Sequence, residues 1–256
     1  MKTLRIALII VLGSMLAPGC GQQRETLFQT STIPALMAGV YDGRMTCAEL
    51  KTHGDTGLGT FNALDGEMVM LEGTVYQVRG DGTAHPAPDD ARTPFAAVTF
   101  FEADRTDRAD APMKLDDLTK HIDGMLPSRN LPFAVRVRGR FRYVRTRSVP
   151  RQRRPYPPLL EVVKNQPVFE FRKVSGTLVG FRMPEYVEGV NVPGYHLHFL
   201  TADRTAGGHV LDLVTDKVTI EIDSCRSIFI ELPRTRDFDD SDLTGGTRGE
   251  LEKVEK

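Results

Sequence analysis

The chain has 256 residues, 40% of them hydrophobic and 26% charged, and its 33 Lys and Arg against 34 Asp and Glu leave a formal net charge of -1. That composition excludes a disordered chain, which would carry fewer apolar residues and more net charge. It also argues against nucleic acid as a partner, since no basic excess is present to displace phosphate counterions.

Lys2 and Arg5 precede an apolar run from Ile6 to Leu16 that is too short to cross a bilayer as a helix. A basic-then-apolar layout is that of an export signal, so residues 1–24 are set apart from the fold and the chain is expected to be exported. Leu16-Ala17-Pro18-Gly19-Cys20 resembles a bacterial lipobox with Cys20 at the lipidated position, although Ala17 and Pro18 depart from its usual residues. A lipid anchor at Cys20 and a plain cleaved signal are the two forms this expectation takes. Cys47 and Cys225 could then pair in an oxidising environment, but one sits in a helix-like stretch and the other in a strand-like one, and two buried free thiols are expected.

In the mature chain, Thr32 and Pro34 open a short amphipathic helix over Ala35 to Val40. A second runs from Met45 to His53, capped by Thr46 with Glu49 three residues on. Gly54-Asp55-Thr56-Gly57-Leu58-Gly59-Thr60 has neither the preceding strand nor the Lys-Ser/Thr of a phosphate loop, and is expected to be a turn. Strands are predicted over Met68 to Val78, closed by a turn at Gly80-Asp81-Gly82, and over Phe95 to Phe101. Leu115, Leu118 and Ile122 place a helix within Pro112 to Leu126. Phe133, Val135 and Val137 alternate with arginines in a strand that runs to Val144.

Arg145 to Pro158, basic and then proline-rich, reads as an extended connection between an N-terminal domain (25–150) and a C-terminal one (151–256). Beyond it, strands are predicted at Val168 to Phe171, Gly176 to Arg182, Tyr195 to Leu200, His209 to Val214, Val218 to Ile222 and Ile228 to Leu232. The acidic run Asp237 to Asp242 lacks calcium-loop spacing and is expected to be a solvated loop.

Three of the six histidines lie in one window, at His196, His198 and His209. Residues two apart on a strand point the same way, so His196 and His198 share a face while Tyr195, Leu197 and Phe199 take the other. Thr201 to Gly208, with Asp203 and a Gly-Gly pair, suits a hairpin that brings His209 beside His198. Three imidazoles on two antiparallel strands fit an open metal site with a coordination position left for water or substrate. Zinc-hydroxide hydration or hydrolysis, as in carbonic anhydrases, and Lewis-acid polarisation of a ketone both fit. A cupin would need a glutamate where this chain has Ala202.

The chain as a whole resembles the bacterial α-acetolactate decarboxylases, from about Leu27 to Glu255. The resemblance rests on Leu27-Phe28-Gln29-Thr30-Ser31-Thr32-Ile33, on Gly54 to Asn62, and on Leu64-Asp65-Gly66-Glu67. It continues through Thr146-Arg147-Ser148-Val149-Pro150, Pro155-Tyr156-Pro157, Gly176 to Phe181, and Val192 to Phe199. Gly207-Gly208-His209-Val210-Leu211 and Asp237-Phe238 with Asp242-Leu243 complete it. It implies an α/β (α+β) fold of two β-rich domains with mixed sheets and few helices, and a homodimer. It implies zinc held by His196, His198 and His209, and a small-molecule substrate, α-acetolactate, lost as CO2 and acetoin. Glu67, Arg147 and Glu255 are implied to surround that substrate, so that the tail folds back over the site. A zinc hydratase or hydrolase, and an exported non-catalytic metal-binding protein, are the rival expectations.

Overall fold

The computed structural model describes residues 24–244 and 248–255, without the side chains of Arg248, Glu252 and Glu255. The export signal and Cys20 lie outside the described residues.

Fourteen strands are found among the described residues. They are β1 (Thr26–Thr30), β2 (Met45–Thr46), β3 (Thr56–Thr60), β4 (Glu67–Leu71), β5 (Thr74–Val78), β6 (Ala84–Pro86) and β7 (Arg92–Thr93). The remainder are β8 (Ala96–Thr99), β9 (Arg105–Ala109), β10 (Phe133–Arg147), β11 (Val168–Met183), β12 (Gly194–Thr201), β13 (Gly207–Ser224) and β14 (Ser227–Glu231). The helices are short: α1 (Ile33–Met37), α2 (Cys47–Leu50), α3 (Leu115–Met125), α4 (Leu159–Val163), α5 (Arg236–Asp240) and α6 (Arg248–Glu255).

A seven-stranded mixed sheet has the order β14-β1-β8-β3-β4-β5-β6, with β1 and β14 parallel and the other pairs antiparallel. The second sheet is antiparallel, in the order β10-β11-β12-β13-β9, and closes on itself because β10 pairs with β13 as well as β11. Neither sheet divides at residue 150. From before that point, β9 pairs with β13 and β10 pairs with β11 and β13 from after it, while β14 returns to the first sheet.

Apolar alternation sets the layers. Phe133, Val135, Val137, Leu197, Phe199, Ile220 and Ile222 form one core beneath α3, whose Leu118 and Ile122 are buried in it. Leu27, Leu58, Ala97, Ala134, Phe181 and Met183 pack between the two sheets, joined by Val69, Leu71, Val179 and Leu200. On the far face of the first sheet, Cys47 and Leu50 of α2 meet Phe28, Met68 and Met70. Cys47 and Cys225 are both buried and unbridged.

The predicted caps form as expected. Thr32 accepts from the Ala35 N–H, and Thr46 with Glu49 makes a reciprocal capping box. Four expectations are corrected. Residues 56–60 are not a turn but the inner strand β3, where glycine is required by close approach. A Cβ at Gly57 would stand 2.1 Å from the Ala97 carbonyl oxygen, and one at Gly59 would stand 2.4 Å from that of Phe95. Met68 to Val78 is not one strand but a hairpin, because Glu72 (φ 54°) and Gly73 (φ 75°) both take the left-handed conformation of a tight primed turn. Arg145 to Arg147 belong to β10 and not to the linker, since β11 and β13 pair with them on both sides. Arg236 to Asp240 form α5, capped by Thr235, where a solvated loop was expected.

Candidate active site

The site lies where β4 of the first sheet meets one row of the second. His198 on β12 is the direct cross-strand partner of His209 on β13, and His209 is in turn the partner of Arg147 on β10. One line across three strands therefore carries Arg147, His209 and His198, with His196 two residues along β12. Their ring centroids are 5.0 to 5.3 Å apart, and the three histidines offer nitrogen atoms that all lie within 4.8 Å of one another.

Two of these side chains reach the cleft only because the strands are bulged. Along β13, Leu213 and Val210 both face the α3 core although they are three positions apart. The pairing with β10 skips Leu211 between Asp212 and Val210. That extra residue reverses the alternation and turns His209 away from the apolar core. On β10, Arg142 is skipped in the same way, so that Phe141 and Val144 share the core face and Arg147 points toward the histidines. Gly208 lets the strands close here, since a Cβ on it would stand 2.4 Å from the Arg147 carbonyl oxygen.

The first sheet supplies the opposing wall. The Met68 carbonyl accepts a hydrogen bond of 2.8 Å from Nδ1 of His198. This fixes the tautomer and leaves the lone pair on Nε2, which is buried without a hydrogen bond and has Glu67 Oε2 3.6 Å away. Thr60, opposite Glu67 across the β3–β4 pair, donates from its hydroxyl to the Gly66 carbonyl at 2.7 Å. All of these side chains are buried. Burial, and then the charge of Arg147, pushes the pKa of His196 down to about 3. Burial followed by the charge of neighbouring His196 holds His198 well below the ordinary range as well. Both imidazoles are therefore neutral at pH 7, the form that binds a metal.

A cleft opens over these groups. Its other lining is apolar, from Ile33, Leu36, Leu64, Phe95, Val149 and Leu159, with Leu251 and Val254 contributed by the C-terminal helix α6. Glu67, Arg147 and the three histidines thus line one cleft. Glu255 is the last residue of α6, and its side chain lies outside the described residues. His53, His85 and His121 do not line the cleft.

Sequence reasoning missed Thr60 as an individual site residue, and it missed Gln166, whose side-chain oxygen accepts from Nη1 of Arg147 at 2.7 Å. The cross-strand position of Thr60 opposite Glu67 would have been legible had the glycine-rich stretch been read as a strand. Nothing in the sequence pointed to Gln166.

Three converging imidazoles, with a carboxylate and a guanidinium beside them in a mostly apolar cleft, define an enzyme site able to hold a metal ion. The family model described as "Alpha-acetolactate decarboxylase" matches residues 27–245. The chain is 53% identical over 232 residues to the α-acetolactate decarboxylase of Methanosarcina mazei, covering 91% of this chain and 81% of that protein. It is 46% identical over 222 residues to that of Bacillus subtilis, covering 87% of each. The crystal structure of α-acetolactate decarboxylase from Bacillus subtilis strain 168 superposes with a TM-score of 0.88 at 44% identity, over 90% of this chain and 99% of that one. The chain belongs to the α-acetolactate decarboxylase family, with the α+β fold of mixed sheets and few helices that the family shares.

Proposed function

We propose that the chain catalyses the zinc-dependent, non-oxidative decarboxylation of α-acetolactate to acetoin and CO2, in acetoin biosynthesis. The observation that carries the metal-dependent reading is the His196–His198–His209 cluster, with Nε2 of His198 buried, deprotonated and facing it. Those three residues would hold the ion, which when bound supplies Lewis-acid polarisation of the substrate's ketone oxygen. Three imidazole nitrogen donors suit zinc.

The remaining chemistry falls to the chain's own residues. Arg147 takes the substrate carboxylate, because a planar fork of donors orients that group as a lysine point charge cannot. With the carboxylate so held, the C–C bond to it breaks, CO2 leaves, and the electron pair passes toward the adjoining ketone. Glu67 then delivers a proton to carbon, having first taken it from water, or from the substrate hydroxyl, to which water then returns a proton to complete acetoin. The apolar wall and α6 exclude bulk water, which strengthens each of these interactions. Glu255 ends the helix that covers the cleft, and is assigned either to the metal or to a second proton relay. Export rests on residues 1–24 and a homodimer rests on the family resemblance.

The test is incubation of the purified protein with racemic α-acetolactate, scoring acetoin against the spontaneous background. Acetoin well above background is expected. A folded, zinc-loaded protein that forms none would reject the proposal in favour of a hydratase or a binding protein.

A further inference from the structure

Arg147 makes one side-chain hydrogen bond among the described residues, from Nη1 to the Gln166 side-chain oxygen at 2.7 Å. The direction is forced, because a guanidinium can only donate. Its Nε is buried with no hydrogen-bond partner among the described residues, and no carboxylate pairs with it there. Gln166 is itself held on both sides. Its N–H reaches back to the Val163 carbonyl at the end of α4, whose Leu159, Val162 and Val163 are buried. The following residue, Pro167, accepts from the Ser148 N–H next to Arg147. An amide oxygen anchored in this way can hold one arm of the guanidinium without neutralising it. A glutamate at the same place would pair with Arg147 and compete with an incoming carboxylate.

We propose that Gln166 is a positioning residue: it fixes Nη1 of Arg147 so that the rest of the fork, with its charge intact, is preset to receive the substrate carboxylate. This rests on the decarboxylase reading and extends it to a residue that does not line the cleft. Preorganisation of this kind acts on reactions that need the carboxylate held in one orientation.

The test is a double-mutant cycle on the zinc-loaded full chain, combining Gln166→Leu with Arg147→Lys, read as kcat/KM for α-acetolactate together with inhibition by the product acetoin, which has no carboxylate. Loss of a positioning contact is expected to lower kcat/KM about 10- to 100-fold in the Arg147 background. In the Arg147→Lys background, the same change should shift it less than twofold, because the fork it positions is gone. Acetoin inhibition and zinc content should be unchanged. Equal losses in both backgrounds, or weakened acetoin binding, would mean that Gln166 only supports the fold, and would overturn the proposal. Unchanged kcat/KM in Gln166→Leu would overturn it too. If Gln166→Leu does not fold, the unbranched Gln166→Met carries the same comparison. Absence of turnover in the unmutated protein would fail the decarboxylase reading itself, a result distinct from any of these.

Discussion

His198 and His209 face each other directly across the β12–β13 pair, 5.3 Å between ring centroids, and His209 in turn faces Arg147 across β13–β10. A single row of backbone pairing thereby sets two of the three candidate metal-ligating histidines and Arg147, the proposed carboxylate-binding group, side by side. Because the strands are paired along this row, the spacing of these groups is fixed by the sheet and does not depend on loops.

The proton-delivering role of Glu67 predicts that Glu67→Gln keeps the metal and the fold but loses turnover by about 10²- to 10⁴-fold, the usual scale of general acid–base catalysis. Zinc content measured beside acetoin formation checks this. An active Glu67→Gln enzyme would assign the proton to another group.

Arg147→Lys retains a positive charge but loses the planar fork. Its kcat/KM should fall by one to two orders of magnitude, about 1–3 kcal/mol of lost orientation and hydrogen bonding, with zinc content unchanged. Wild-type kinetics in this variant would show that charge alone suffices.

The depressed pKa of His196 has a consequence for stability in the metal-free protein. The unfolded imidazole titrates near 6.5 and the folded one near 3, so between those values the unfolded state binds more protons. The contribution of this histidine is complete above about pH 6.5 and is lost as pH falls toward 3. Urea unfolding of the chelated protein should therefore show the wild type losing stability relative to His196→Gln as pH is lowered from 7.5 to 5. Parallel curves for the two proteins would contradict the neutral, desolvated state assigned to this residue.

Helix α6 reaches the site through Leu251 and the buried Val254, which pack on the cluster containing Leu36 and Leu159. Val254→Asp places a charge in that contact and should detach the helix, with a loss of about tenfold or more in turnover once water enters the cleft. Limited proteolysis within 248–256 should become faster while the melting temperature of the rest of the chain changes little. Full turnover with a protease-sensitive tail would remove α6 from the catalytic apparatus.

The site was legible where chemistry and local pattern coincide. The His-x-His pair, the glycine hairpin and the third histidine depend only on strand alternation and a turn, and β12 and β13 realise all three. Arg147 was misplaced in a linker because its arginine-rich run looks solvated, whereas β11 and β13 pair with it on both sides. The extra residues Arg142 and Leu211, which turn Arg147 and His209 into the cleft, are invisible to a simple period of two. Glycines 57 and 59 resembled a turn because their reason lies in β8, about forty residues away in sequence. Gln166 is known only through a contact with Arg147 that no sequence spacing encodes.

The most direct test of the central claim, that His196, His198 and His209 hold the metal on which decarboxylation depends, is a paired measurement of bound metal and acetoin formation. It would follow the wild type through chelation and zinc return, with His198→Ala alongside. Activity is expected to disappear with the metal, to return with zinc, and to be absent together with the metal in His198→Ala. Full acetoin formation by metal-free wild type or by metal-free His198→Ala would contradict it.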